Sequence, residues 1–255
     1  MSQIIFSDAD FSSNKLINLP DLEGLITWTY LGNGTNDNID VYNNTEYSNV
    51  NFNGSSTGPV YTQGYGSFQS NTMITGALMS TQGDTNNNFS VMLVIQYPET
   101  IQNFYAWSMR GKNGGGTYMR ASANATEGSI HIVSTTHGTA SLGFGAPWNN
   151  KWKYIAATYN SSTNTSIIYN ITDGTSNTLT SVGRLQANDA AILLGTALTG
   201  NVNGDFATTG GISSLARGGN IAFYALGSEV YSEAQFQSLE PFLQYYLGTR
   251  GVTLL

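Results

Sequence analysis

The stretch FSVMLVIQYP, Phe89 to Pro98, decides how the rest of the chain must be arranged. Side chains of a strand point alternately to its two faces, so a strand with one wet face shows a polar residue at every second position. Here both sets are apolar: Val91, Leu93 and Ile95 on one side, Met92 and Val94 on the other. Such a run suits a strand buried on both faces at the centre of a sheet. Pro98 ends it, because proline has no amide to give to a ladder. A two-layer sandwich buries only one face of most strands, so something further must cover the second.

One candidate cover stands near the other end of the chain, in EVYSEAQFQSLEPFLQYYLG, Glu229 to Gly248. Ser232 and Gln235 are spaced as a capping box, in which each side chain satisfies an amide of the first turn. Phe236, Leu239, Phe242, Leu243, Tyr246 and Leu247 recur at spacings of three and four, which gives a helix over 232–247 one apolar face. Gly248 is placed to stop it in a left-handed conformation. Pro241 lacks an amide proton and clashes one turn back, so a kink or a split into two short segments is expected. The runs SIHIV and YIAATY are also apolar on both sides, more surface than one short kinked helix hides. Two further covers are therefore expected: a homo-oligomer, with a trimer the guess, or the segment before Gly24 folded over that face.

Between these two stretches the chain reads as short strands and polar turns. NFYAWSMRGKNGGGTYMRAS gives two strands joined by a glycine-rich turn, with Tyr105, Trp107 and Met109 alternating onto one face. GSIHIVSTTHG, KWKYIAATYNSSTNTSIIYNITDG, AILLGTAL and GGNIAFYAL continue the series, while the region before Phe89 is broken into shorter runs and long loops. No repeat and no linker divides it. The expected fold is all-β, a two-sheet antiparallel sandwich with one C-terminal helix, residues 1–23 forming a lead-in strand or arm and 24–255 the sandwich domain.

Composition removes several classes of function. Only 10% of residues are charged and the formal charge is -7, with nine Lys and Arg scattered along the chain, so no basic surface for nucleic acid is expected. Cysteine is absent, which excludes disulfides, thiol nucleophiles and thiolate metal sites. The opening MSQIIFSDADF lacks the basic start and apolar core of a signal peptide, and no apolar run is long enough for a membrane span. His131 and His137 are not spaced as a ligand pair.

The order of segments resembles the concanavalin A-like jelly roll, and within it the laminin-G-like domains of bacterial and viral proteins. FSVMLVIQYP resembles that family's central strand. WKYIAATYNSSTNTSIIYNITDG resembles its tryptophan-led strand and hairpin, with Asn170-Ile171-Thr172 in place of the usual Asn-Gly. AILLGTAL resembles the strand that follows, and GGNIAFYALGSEVYSEAQFQSLEPFLQYYLG its passage from an Ile-Ala strand to a Ser-capped terminal helix. The resemblance implies a module that binds carbohydrate or protein surfaces, although relatives of the same fold cleave glycans.

Glycan cleavage needs two carboxyls a fixed distance apart. The fold's glucanases set them as Glu-x-Asp-x-Glu on one strand face; this sequence has no such run, and Asp8 and Asp10 fall in the lead-in. The chain is therefore read as non-catalytic, with an enzyme as the third reading. Aromatic faces and amide side chains are what a sugar site requires, and the candidates are Trp148, Asn149 and Asn150 before the tryptophan-led strand and Tyr65 in TQGYGS. Arg110 and Arg120, with Lys112 between them, are the basic group that would meet a carboxylated glycan. Lectin-like sandwiches often hold calcium in loops, for which Asn201, Asn203 and Asp205, and Asp37 with Asp40, offer oxygens. The stretch MSQIIFSDADFSSNKL resembles the starts of some phage structural proteins. Together these give the expectation of a receptor-binding, tail-fibre or capsid-surface protein of a virion or other extracellular surface, whose partner is a cell-surface glycan or protein receptor. A structural protein that contacts only virion neighbours is the alternative.

Overall fold

The structure, a computed structural model, describes residues 22–32, 39–43, 45–49, 59–68, 74–78, 88–96, 103–110, 116–123, 128–134, 138–143, 150–180, 191–195, 198–199, 211–212 and 219–255. The first strands are β1 (Leu25–Tyr30), β2 (Ile39–Asp40), β3 (Thr45–Glu46), β4 (Ser48–Asn49), β5 (Val60–Thr62), β6 (Tyr65–Phe68) and β7 (Ile74–Leu78). Then come β8 (Phe89–Gln96), β9 (Asn103–Arg110), β10 (Gly116–Ala123), β11 (Gly128–Ser134) and β12 (Gly138–Gly143). The last are β13 (Trp152–Asn160), β14 (Thr165–Asn170), β15 (Thr175–Thr180), β16 (Ala191–Leu194), β17 (Leu198–Thr199), β18 (Gly211–Ile212) and β19 (Gly219–Gly227), followed by α1 (Glu233–Gly248).

Apart from the β17–β18 pair, these strands form two antiparallel sheets, a larger one ordered β15-β14-β13-β8-β19-β1-β2-β3 with the β5–β6 hairpin attached to β19, and a smaller one ordered β12-β11-β10-β9-β16-β7-β4. β8 lies inside the larger sheet, between β13 and β19. Its two faces meet different partners. Val91, Leu93 and Ile95 join a cluster that takes Phe104, Trp107, Met119 and Leu194 from the smaller sheet, which makes the molecule a sandwich. Met92 and Val94 join a second cluster with Trp28, Tyr154 and Phe223 under Phe236, Leu239, Leu243 and Leu247 of α1. Jelly-roll sandwich and capping helix are thus as the sequence predicts.

Three features differ from the reading of the sequence. α1 runs unbroken through Pro241. Pro241 and Gln237, whose carbonyl loses its amide partner, both lie on the exposed side, where water supplies what the proline removes. The helix does not stop on a left-handed Gly248 either: Thr249 caps it in a right-handed conformation, and the chain reverses at Gly251, φ 80°. The capping box of Ser232 and Gln235 is formed.

The second difference is a bulge in β9. Opposite β10, Trp107 pairs with Met119 but Tyr105 pairs with Arg120, so Ala106 is an extra residue. The alternation is therefore interrupted between Tyr105 and Trp107, and Phe104, Ala106 and Trp107 all enter the inner cluster.

The third concerns what covers the second face. Met92, Val94, Tyr154 and Ala156 are fully buried within one chain, by α1 and by Val252 and Leu254 beyond it. The uncovered surface that suggested an oligomer is therefore absent on β8 and β13. The alternative cover, residues 1–21, lies outside the described residues, as do the side chains of SIHIV. Ser90, the polar residue at the start of β8, fixes the helix entry: its hydroxyl donates to the Glu229 carbonyl at 2.6 Å and accepts from the Tyr231 amide at 2.9 Å.

The β5–β6 hairpin is seated by two glycines. Gly32 and Gly64 have φ of 72° and 96°, and the Gly64 amide donates to the Gly32 carbonyl at 2.7 Å. A Cβ on Gly32 would lie 2.1 Å from the Thr62 carbonyl oxygen, so this crossing requires glycine.

Candidate ligand-binding surface

On the outer face of the larger sheet, past the end of α1, β8, β13, β19 and β6 bring an aromatic pair and a chain of amides together. Gln96 pairs in register with Trp152 and with Asn220, and Asn220 also with Ser67. The Asn220 side-chain amide donates to Gln96 Oε1 at 2.8 Å, and Gln96 Nε2 donates to the Asn150 carbonyl at 2.8 Å. Tyr65 packs on Trp152 with ring centroids 5.2 Å apart. Trp152 is only 6% exposed, because Leu254 bridges to it in parallel and the Leu255 amide donates to its carbonyl at 3.2 Å. Tyr65 is half-buried and Asn150 is exposed, in a left-handed turn with φ 61°.

A cation flanks this group. Arg250 packs against the Gly64 turn and sets its guanidinium 4.0 Å from the centre of the Tyr246 ring. Burial pushes the Tyr246 hydroxyl up to about 12, with Arg250 opposing the rise. Further along α1, Glu240 is raised by burial, and burial with the nearby Glu240 charge raises Tyr154. The surface thus offers part of a ring face, amide donors and acceptors held in fixed directions, and one positive charge: the means to hold a polyhydroxylated ligand.

Of the residues singled out in the sequence, Tyr65 and Asn150 meet here. Tyr65 opens β6, where its ring is partly spent on Trp152. Trp148 and Asn149 lie outside the described residues, and so do Asn201, Asn203, Asp205, Asp37 and His137. Arg110 pairs with Gly116, four residues before Arg120 on β10 and about 13 Å from it along the strand; the side chains of both, and Lys112 as a whole, lie outside the described residues. Asp40 is not an open calcium ligand. It is buried and accepts from the amides of Trp28 at 3.1 Å, Tyr42 at 2.9 Å and Asn43 at 3.3 Å, and from the Asn43 side chain at 2.6 Å. Among the described residues no group of three His, Cys, Asp or Glu side chains is placed to hold a metal ion.

Gln96, Asn220 and Arg250 were not candidates from the sequence. Gln96 carried a signal, as the first long polar side chain to end the apolar run of β8. Asn220 and Arg250 carried none, since they come near Tyr65 only through strand order and the turn after α1.

No protein-family model matches the chain, and no curated protein does. Solved structures do share its fold. The binding domain of botulinum neurotoxin DC, solved with rat synaptotagmin II, aligns over 87% of this chain and 52% of its own at 13% identity, TM-score 0.55. The ligand-binding domain of botulinum neurotoxin serotype D, solved with N-acetylneuraminic acid, aligns over 86% of this chain and 51% of its own at 11% identity, TM-score 0.56. A heptameric SAP-like pentraxin from Limulus polyphemus aligns over 60% of this chain and 69% of its own at 10% identity, TM-score 0.49. The chain spans about half the length of the neurotoxin domains. At these identities the likeness is one of fold alone, a two-sheet jelly-roll sandwich.

Proposed function

We propose that this chain is a non-catalytic binding module for glycan or glycoprotein on a cell surface, and that it binds on the outer face of the larger sheet around Tyr65. The observation that carries the reading is the Tyr65–Trp152 pair beside the amide chain from Asn220 through Gln96 to Asn150. Sugars present an apolar ring face and a rim of hydroxyls, and this surface offers the partner of each. The two neurotoxin domains, one solved with a sugar and one with a protein receptor, support a binding role. The setting we propose, a virion surface, rests on the likeness of the opening sixteen residues to phage structural proteins.

A glycan array probed with the whole chain, with and without chelator, tests the reading. Binding to a glycan class that weakens in Tyr65→Ala and Asn220→Ala is the expected result. Chelator sensitivity would move the site to Asn201, Asn203 and Asp205. Binding to no glycan, together with firm incorporation into a particle, would replace the reading by that of a structural protein.

A further inference from the structure

At the inner end of the β13–β14 hairpin, three side chains that the binding surface does not use are brought into contact. Lys153 is 5% exposed, a rare state for lysine, and Asn170 is fully buried. Both lie on the inner face, as Ile155 and Ala157 of β13 and Ile168 of β14 do. Asn170 pairs in register with Ile155, so Lys153 is its diagonal neighbour, within reach of a long side chain. Asp173, in the turn after β14, touches both: Oδ1 accepts from Lys153 Nζ at 2.7 Å, and Oδ2 accepts from Asn170 Nδ2 at 2.5 Å. The Asp173 amide in turn donates to Asn170 Oδ1 at 3.2 Å.

We propose that Lys153 and Asn170 become joined by an amide between their side chains, formed by the chain itself with Asp173 as proton carrier. Each part of an acyl transfer is present. Lys153 Nζ is the nucleophile, the Asn170 carboxamide is the acyl group, and the Asp173 backbone N–H faces the oxygen on which negative charge develops. The Asp173 carboxylate meets the proton of the attacking nitrogen with one oxygen and the leaving nitrogen with the other, the two contacts that general base and general acid require. Nζ gives one proton to the Asp173 carboxylate, and a second as the lone pair so freed forms the bond to Asn170 Cγ. The Cγ–Nδ2 bond then breaks, and Nδ2 takes up the two protons lost by the lysine ammonium and leaves as ammonium. No oxidant or other reactant is consumed. The buried inner face shields the new bond from water. The Asp173 side chain, 38% exposed, marks the way out for the leaving group.

The denatured whole chain, weighed by mass spectrometry, tests this. The expected mass is that of the sequence less one ammonia, with peptides containing Lys153 and Asn170 linked after proteolysis, and full sequence mass in Lys153→Arg and in Asp173→Ala. Full mass in the wild-type chain after prolonged incubation overturns the proposal and leaves an ion pair that holds the turn. Loss of ammonia that persists in Lys153→Arg also overturns it, since that marks ring closure between Asn170 and Ile171. Loss that persists in Asp173→Ala overturns the role of the carboxylate.

Discussion

The two faces of the larger sheet are equally well buried but are covered in different ways. The inner face is closed by a second sheet whose strands pair with one another along their length, so each inner residue is held on a backbone ladder. The outer face is closed by one helix, which touches the sheet through side chains and is tied at its entry by Ser90. Its layer is rich in rings: Trp28 lies 4.6 Å from Phe223 and Tyr30 4.1 Å from Tyr246, centre to centre. On the inner side Tyr47 meets Thr27 at 2.6 Å and Thr29 at 2.9 Å. A face held by ladders resists local opening; a face held by one helix is where the molecule opens first.

The largest expected effect comes from Leu243→Asp, which sets a charge between helix and sheet. Loss of more than about 4 kcal/mol is expected, seen as a collapse of the thermal transition. Native-like stability would mean that the helix does not cover that face in solution. Next come matched truncations: Leu93→Ala inside and Leu239→Ala outside should each cost about 2–5 kcal/mol in denaturant titrations. The inner one should cost more, because a helix can settle into the space and paired strands cannot. Equal costs would erase the distinction.

Alkaline pH acts on the tyrosines. Burial raises Tyr231 and Tyr246 to about 12, and raises Tyr30 and Tyr154 in the same direction. In the unfolded chain they ionise near ~10, so the folded state holds its protons more tightly, and stability is constant below that pH and lost from there up to about 12. Unfolding curves measured across this window should show the fall, and Tyr154→Phe should lessen it; an unchanged slope in that variant would assign the effect to the other raised tyrosines. The smallest effect is that of Ser232→Ala, about 1 kcal/mol from the lost cap, read from the same unfolding curves.

What was legible in the sequence was what repeats. The doubly apolar β8 and the spacing of Ser232, Gln235, Leu239 and Leu243 specified a covered central strand and its capped helix, because periodicity and cap are local. The bulge at Ala106 was not legible, since one extra residue leaves every neighbouring residue type unchanged. Nor was the fate of Pro241, which depends on which side of the helix meets water. Asp40 looked like a loop carboxylate because one of its partners, the amide of Trp28, is supplied by another strand. In the binding surface Tyr65 and Asn150 could be named from their residue types, whereas Gln96 and Asn220 act together only once β8 and β19 are neighbours.

That neighbourhood has a consequence for how the protein is made. β19 lies between β8 and β1, pairing Leu93 with Tyr224 and Trp28 with Ala225. A chain emerging from the ribosome therefore presents β1 and β8 long before the strand that belongs between them exists. Until then the apolar edge of β8 that will receive β19 stands open to other nascent chains. The larger sheet closes only after synthesis of Gly219–Gly227, so its folding is a late event, and a chaperone that holds β8 in the interval would raise the yield more than one that acts on the finished chain.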